Sequence, residues 1–338
     1  MTRRVRGRVL RIVAAIMSMF AILEVGVRVI GETDIDGQFR FQGRRVQPYV
    51  LPVERTAMRL AALDAAIDEA GEPPLFTYDA VLGWSPRPNA TGLGGLWTSN
   101  DAAIRAAEPY ETVPQDGVLR IALFGGSFTA GDEVADAETW AQTLETSLNA
   151  AGVATEVLNF GVNGFGTDQA YLRWQSIGQT FRPDIVILGF MPENIMRNVN
   201  IFRPVYLPNA NFIYSKPRYV LQNGRLTTVN STPLTPTEML EALRAFPNHE
   251  LAEHEYHYQA KRPWWSYSRF VAVVVGIASD FSAVRNNQLP EREREAYFSL
   301  TNTLVYQFGE DVREDGTVFM VAYLPGNLAV INQTAERK

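Results

Sequence analysis

Cysteine is absent from the 338-residue chain, and histidine occurs only three times. The first absence excludes disulfides, thiolate metal sites and a cysteine nucleophile. No lysine follows the glycine turn at Gly125 and Gly126, which excludes a Walker-type phosphate loop. The chain also has fewer basic than acidic residues, with 31 Lys and Arg and 37 Asp and Glu, which gives a net charge of -6. That balance argues against a general nucleic-acid binder.

The stretch 120–132 (RIALFGGSFTAGD) organises the rest of the chain. Residues 121–124 form a short apolar run that is typical of a buried parallel strand. Gly125 and Gly126 break that run, and Ser127 follows at the carboxyl end, where open α/β sheets place their ligands. A hydroxyl held there can act as a nucleophile if a base reaches it. On this stretch alone, a serine that caps a helix or binds an anion is an equally good interpretation.

The N-terminus predicts a membrane anchor. Residues 9–30 are apolar and long enough to span a bilayer, and arginines cluster at their start. Glu24 and Arg28, four residues apart, can pair on one helix face. The basic tail, residues 1–8, is expected in the cytoplasm, which places the main domain on the periplasmic or extracellular side. A cleaved signal peptide is the alternative, but no small-x-small cleavage site lies near Gly31.

The pattern beyond the anchor predicts one α/β domain. Residues 31–116 are expected to form a membrane-proximal segment, and the main domain spans 117–338. Apolar runs alternate there with helical stretches; the predicted strands are 121–124, 156–160, 185–190 and 318–323, and the predicted helices are 140–148, 167–179 and 291–308. Such alternation predicts a three-layer, doubly wound parallel sheet. An insertion rich in proline, asparagine and aromatic residues is expected at about 200–290.

The ends of three predicted strands supply groups suited to acyl transfer. Ser127 follows the first strand, Gly164 the second and Asn194 the third. In a parallel sheet these loops converge on one edge. A glycine N–H and an asparagine amide are donors that stabilise a tetrahedral acyl-transfer intermediate, and glycine leaves the substrate unobstructed. The sequence therefore predicts Ser127 as the nucleophile and Gly164 and Asn194 as oxyanion donors, without a cofactor or a metal.

These loops resemble the sequence blocks of the SGNH (GDSL-type) hydrolase superfamily, in its membrane-anchored bacterial form. Residues 125–129 (GGSFT) resemble the first block, with Gly126 in place of the usual Asp. Residues 159–164 (NFGVNG) resemble the second block, and residues 189–194 (GFMPEN) resemble the third. The segment 78–84 (YDAVLGW) is similar to one that anchored members carry upstream of the serine. The resemblance is close over roughly residues 78–190.

The resemblance implies a flavodoxin-like SGNH fold and a serine esterase or O-acyltransferase that acts on acyl esters outside the cytoplasm. Acetylated carbohydrate is one substrate class it implies, and both hydrolysis and transfer to a sugar hydroxyl stay open. The Ser127 N–H would join Gly164 N–H and Asn194 Nδ2 in the oxyanion hole. The expected partners are the acyl ester and the inner membrane, with no nucleic acid. The alternative is a catalytically inactive, membrane-anchored binding or scaffolding protein with the same fold.

The base that the superfamily uses is missing from this sequence. The superfamily supplies it from a late Asp-x-x-His block, and no Asp-x-x-His occurs here. We therefore expect a C-terminally incomplete member or, as the less favoured alternative, a degenerate one. His249, His254 and His257 all lie in the predicted insertion, and their spacing does not fit the zinc-protease pattern. His254 or His257 acting as the base is a further alternative.

Overall fold

The structure is a computed structural model that describes residues 3–46, 50–71, 74–207, 213–258, 264–286 and 291–326. The strands, in chain order, are β1 (Glu32–Thr33), β2 (Phe39–Phe41), β3 (Arg44–Arg45), β4 (Phe76–Asp79), β5 (Gly83–Pro86), β6 (Thr91–Gly92), β7 (Trp97–Thr98), β8 (Leu119–Gly125), β9 (Thr155–Asn159), β10 (Ile185–Phe190), β11 (Arg218–Gln222), β12 (Arg225–Val229) and β13 (Val318–Tyr323). The α-helices are α1 (Arg3–Ile30), α2 (Val53–Ala70), α3 (Ser127–Ala130), α4 (Trp140–Ala150), α5 (Thr167–Ser176), α6 (Asn194–Arg197), α7 (Arg203–Tyr206), α8 (Pro236–Ala245), α9 (Arg269–Asn286) and α10 (Glu291–Glu314).

Parallel strands form the central sheet, in the order β13-β10-β8-β9. Gly125 of β8 lies opposite Gly189 of β10, and Leu123 lies opposite Asn159 of β9, so the carboxyl ends of the three strands share one edge. β8 is almost wholly buried, as is typical of a parallel strand covered on both faces. The α/β architecture and the four predicted strands are confirmed.

Helices lie on both faces of the sheet. On one face, Trp174 of α5 and Phe308 of α10 make edge contacts with Phe124 of β8. On the other face, Leu123 packs beneath α4. α10 extends beyond its predicted end at residue 308, because Val312 continues the buried row of Leu304 and Phe308 at i, i+4 spacing. The edge strand β13 leaves apolar side chains exposed: Val318, Met320, Val321 and Tyr323.

The predicted insertion between β10 and α10 contains secondary structure of its own. The hairpin β11–β12 and the helices α7, α8 and α9 lie within it. A second hydrophobic core forms where the segment that follows α6 packs against α8, and Leu60 of α2 packs against this core. The buried members of this core include Ile201, Phe202, Met239 and Leu243. The insertion is thereby tied to the segment that follows the N-terminal helix.

Among the described residues, one helix is long and apolar enough to cross a membrane, Gly7–Ile30 within α1, and most of its side chains are exposed. The predicted pair of Glu24 and Arg28 is confirmed at 2.7 Å. The same carboxylate also accepts hydrogen bonds from Arg269 N at 3.0 Å and Phe270 N at 2.9 Å. Glu24 therefore caps the start of α9, since the first N–H groups of a helix have no partner within it.

Candidate active site

Ser127 is the first residue of α3, directly after the glycine turn that ends β8. Its side chain is half-buried, and its hydroxyl forms no hydrogen bond within the described chain. A side chain at Gly125 would lie 2.7 Å from Gly189 O, and one at Gly126 would lie 2.8 Å from Arg197 Nη1. Both positions therefore require glycine or a displaced neighbour.

Gly164 lies in the loop after β9, with a backbone φ of +78° that favours glycine. The loop is tied to the end of β8 by Val162 N, which donates to Gly125 O at 3.0 Å. Asn163 is held on two sides, because its carbonyl accepts from Trp84 Nε1 at 2.9 Å and its side-chain amide donates to Asp132. The second loop thus lies against the first, as the sequence predicts.

Asn194 begins α6 and is fully buried. Neither polar atom of its side chain has a hydrogen-bond partner among the described residues. Arg197, one turn later, donates to Phe165 O at 3.2 Å and pairs with Glu193 at 3.0 Å. Arg197 thereby joins the third loop to the second. A buried amide without partners costs free energy, so its retention is typical of a group kept for a ligand.

Three hydrogen-bond donors at this edge have no acceptor in the described part of the chain. They are the backbone N–H of Ser127, the backbone N–H of Gly164 and the side-chain amide Nδ2 of Asn194. Each belongs to a residue that the sequence predicts for the site. Preorganised donors of this kind can stabilise negative charge that develops on an acyl oxygen.

Of the three histidines, His257 contacts the site loops. The backbone carbonyl of Met196 in α6 lies near its ring and opposes the fall in its pKa, and the ring of Tyr206 lies 4.8 Å away. Its Nε2 atom is buried without a partner in the described chain, and burial lowers the pKa of His257. His249 instead accepts from Leu251 N, and His254 pairs with Glu253 at 3.3 Å. Within the described residues, no group of three acidic or histidine side chains can hold a metal ion.

Asp132 is a site neighbour that the sequence analysis does not single out. It follows α3, where its backbone N–H donates to Ser127 O at 3.4 Å, and its carboxylate accepts from the Asn163 side chain. Burial raises the pKa of Asp132 to about 6, although the hydrogen bond from Asn163 and the charges of Arg105 and Arg197 oppose that rise. A signal for this residue was available, since its carboxylate is only five positions from Ser127 in the sequence.

We expect the titration of Asp132 to contribute a loss of stability as the pH rises from about 4 to about 6. In that window the folded chain holds a proton that the unfolded chain has lost, because the folded pKa is the higher one. The contribution of this titration to the free energy of unfolding is at most roughly 3 kcal/mol. Asp132→Asn should therefore be more stable than the wild type at about pH 8, with little difference at about pH 4, in urea unfolding. A stability difference between Asp132→Asn and the wild type that does not change with pH would contradict the raised pKa of Asp132.

A buried ion pair lies behind the Gly164 loop. Lys216 donates to Asp168 in the first turn of α5, and both side chains are almost completely buried. Burial lowers the pKa of Lys216, and the Asp168 carboxylate offsets part of that effect. Asn198 supports the same turn, since its Oδ1 accepts from Thr167 N at 2.8 Å and its Nδ2 donates to Thr301 at 3.0 Å. These contacts fix the helix that follows the loop.

No known family model matches the chain, and no curated protein matches it. Solved structures of the esterase AlinE4, described as an SGNH-hydrolase family esterase, are similar to it over a limited region. The identity is 24% over 25% of this chain and 46% of that chain, with a TM-score of 0.23; a variant of AlinE4 gives 23% identity over the same shares. The matched region is thus less than half of that esterase.

Proposed function

We propose that this protein is a serine esterase or O-acyltransferase with an SGNH-type, flavodoxin-like domain over residues 117–338. The observation that carries the proposal is the set of three donors that have no acceptor in the described chain and lie at the sheet edge that bears Ser127. A structural asparagine or loop glycine would be expected to have its N–H groups paired in so buried a place. Donors left free beside an accessible hydroxyl are instead what an acyl-transfer site needs.

In this reaction Ser127 Oγ attacks the acyl carbon of an ester. A new carbon–oxygen bond forms, the hydroxyl proton passes to a base, and the carbonyl electrons move onto the oxygen held by the three donors. When that intermediate collapses, the alcohol leaves with a proton and an acyl-serine remains. Water or a second hydroxyl, such as that of a carbohydrate, then takes the acyl group. His257 is the candidate base that the described chain brings to the third loop.

We propose that α1 anchors the domain in the inner membrane, with the site on the non-cytoplasmic side. The length and exposure of the apolar helix Gly7–Ile30 support the anchor. The arginines at its start support the orientation, because basic residues favour the cytoplasmic side.

A binding protein that has lost the chemistry is the second candidate. The observation that favours it is the absence, within the described residues, of any histidine hydrogen-bonded to Ser127. Without a base, a serine of ordinary basicity is a poor nucleophile.

One experiment tests both the serine and its location. Intact cells that express the full chain are treated with a membrane-impermeant fluorophosphonate probe, beside cells that express Ser127→Ala. We expect labelling of the wild type only, because Ser127 Oγ displaces fluoride from phosphorus. Equal labelling of the two proteins would refute the nucleophile. Labelling that requires lysed cells would refute the orientation. No labelling of the wild type in either case would favour the binding protein.

A further inference from the structure

The peptide group that joins Asn163 to Gly164 has one end bound and one end free. Its carbonyl accepts a hydrogen bond from Trp84 Nε1 at 2.9 Å. Its N–H, which belongs to Gly164, has no acceptor among the residues that the structure describes. The C=O and N–H of one peptide group lie in one plane and point in opposite directions. A donor that fixes the carbonyl therefore also fixes the direction of the N–H.

We infer that Trp84 is a positioning residue that aims the Gly164 N–H at the oxyanion and strengthens it as a donor. A hydrogen bond to the carbonyl polarises the peptide group, so its N–H donates more strongly. Gly164 needs this restraint, because glycine enters and leaves its conformation at φ +78° with little cost. The inference rests on the proposed function and gives the upstream segment 78–84 a role in it.

Trp84 is itself held rigidly enough for this role. Its side chain is fully buried, and its ring makes an edge contact with Phe165, with 5.7 Å between ring centroids. It lies on β5, which pairs with β4 in a hairpin. Asp79 Oδ1 closes the turn of that hairpin by accepting from Val81 N at 2.8 Å and Leu82 N at 2.9 Å. The indole is therefore placed by packing and by a closed turn.

The hairpin is also seated tightly on the rest of the domain. Gln169 Nε2 of α5 donates to Leu82 O at 2.7 Å, which ties the turn to the helix after the Gly164 loop. Gly83 has a φ of +89°, and a side chain there would lie 2.9 Å from Lys216 Cα. The hairpin cannot move away from Asn163 without losing these contacts.

The variant Trp84→Phe tests the inference, because it keeps an aromatic ring in the pocket and removes only the indole N–H and part of the ring. Trp97→Phe is the matched control. Trp97 is equally buried, its Nε1 has no partner in the described chain, and its ring packs on Phe76 and against the Arg105 guanidinium. Both changes remove the same atoms, so Trp97→Phe controls for the loss of a buried indole as such.

The first readout is nuclear magnetic resonance on the full chain in detergent micelles. The sequence contains Asn followed by Gly at only two places, 163–164 and 223–224. Asparagine labelled with carbon-13 at the carbonyl and glycine labelled with nitrogen-15 therefore give one cross-peak for each pair. Trp84→Phe should move the 163–164 peak and leave the 223–224 peak, which belongs to the β11–β12 turn, in place. Trp97→Phe should move neither. An unmoved 163–164 peak in Trp84→Phe would overturn the inference.

The second readout is the rate at which a fluorophosphonate modifies Ser127 in the purified full chain. Trp84→Phe should lower the limiting rate of Ser127 modification roughly 10- to 100-fold, a smaller effect than the loss of an oxyanion donor itself. The probe concentration that gives half of this limiting rate should change little. Equal limiting rates in wild type and Trp84→Phe would overturn the inference alone. A wild type that is not modified at Ser127 would refute the proposed function and the oxyanion role with it, while the peak shift would still report the Trp84 contact.

Discussion

Replacing Asn194 by alanine is expected to lower the rate of acyl transfer roughly 100- to 1000-fold without lowering the melting temperature. The rate falls because one of the three unpaired donors is lost. Stability is kept because the buried amide has no partner to lose among the described residues, and an unpaired buried polar group costs about 1–3 kcal/mol. The two effects are measured as the phosphonylation rate of Ser127 and as thermal unfolding of the same preparation.

Asn198→Ala is the control for that result. Asn198 is of the same residue type, one turn further along the chain and also fully buried, but its amide is paired at both ends. Removing it should lower the free energy of unfolding by about 1–3 kcal/mol, because the N–H of Thr167 loses its acceptor. If Asn194→Ala were destabilised as much as Asn198→Ala and kept its rate, Asn194 would be a structural residue.

Lys216→Met is expected to lower the free energy of unfolding by about 3–5 kcal/mol. The change leaves the Asp168 carboxylate buried without its cation, and an unpaired buried charge is far costlier than the pair it came from. Unfolding in urea, followed by tryptophan fluorescence in detergent, measures the loss.

The double variant Lys216→Met with Asp168→Asn separates the charge from the packing. It removes the stranded carboxylate and keeps an oxygen that can accept from Gln169 N, as Asp168 Oδ1 does at 2.8 Å. Most of the stability lost in the single variant should return. A single variant within about 1 kcal/mol of the wild type would mean that Asp168 is solvated or protonated once Lys216 is gone.

The sheet and the three site loops were predictable because their signals are local. Residues 121–124 form an apolar run that two glycines end, and the next two strands are also apolar with a glycine near their carboxyl ends, so the parallel arrangement brings Ser127, Gly164 and Asn194 to one edge. The extent of α10 was harder to predict, because the buried row that reaches Val312 depends on the strand and helix it packs against.

The partners of the site residues could not be predicted, because they come from distant parts of the chain. Trp84 and Asn163 are 79 positions apart, and Lys216 and Asp168 are 48 apart. Sequence patterns identify which side chains prefer burial, whereas the partner of each polar atom depends on the completed packing. His257 illustrates the same limit, since its contact with Met196 exists only because the insertion folds back onto α6.

The hydrogen bond from Trp84 has a consequence for how this protein can be shortened. A fragment that begins at Gly117 would keep the whole central sheet and every residue of the three loops. It would nevertheless lack the indole that holds the Asn163 carbonyl. The Gly164 peptide could then rotate, and its N–H would no longer point towards the proposed oxyanion position. The hairpin β4–β5 therefore belongs in any transplant of these loops to another scaffold.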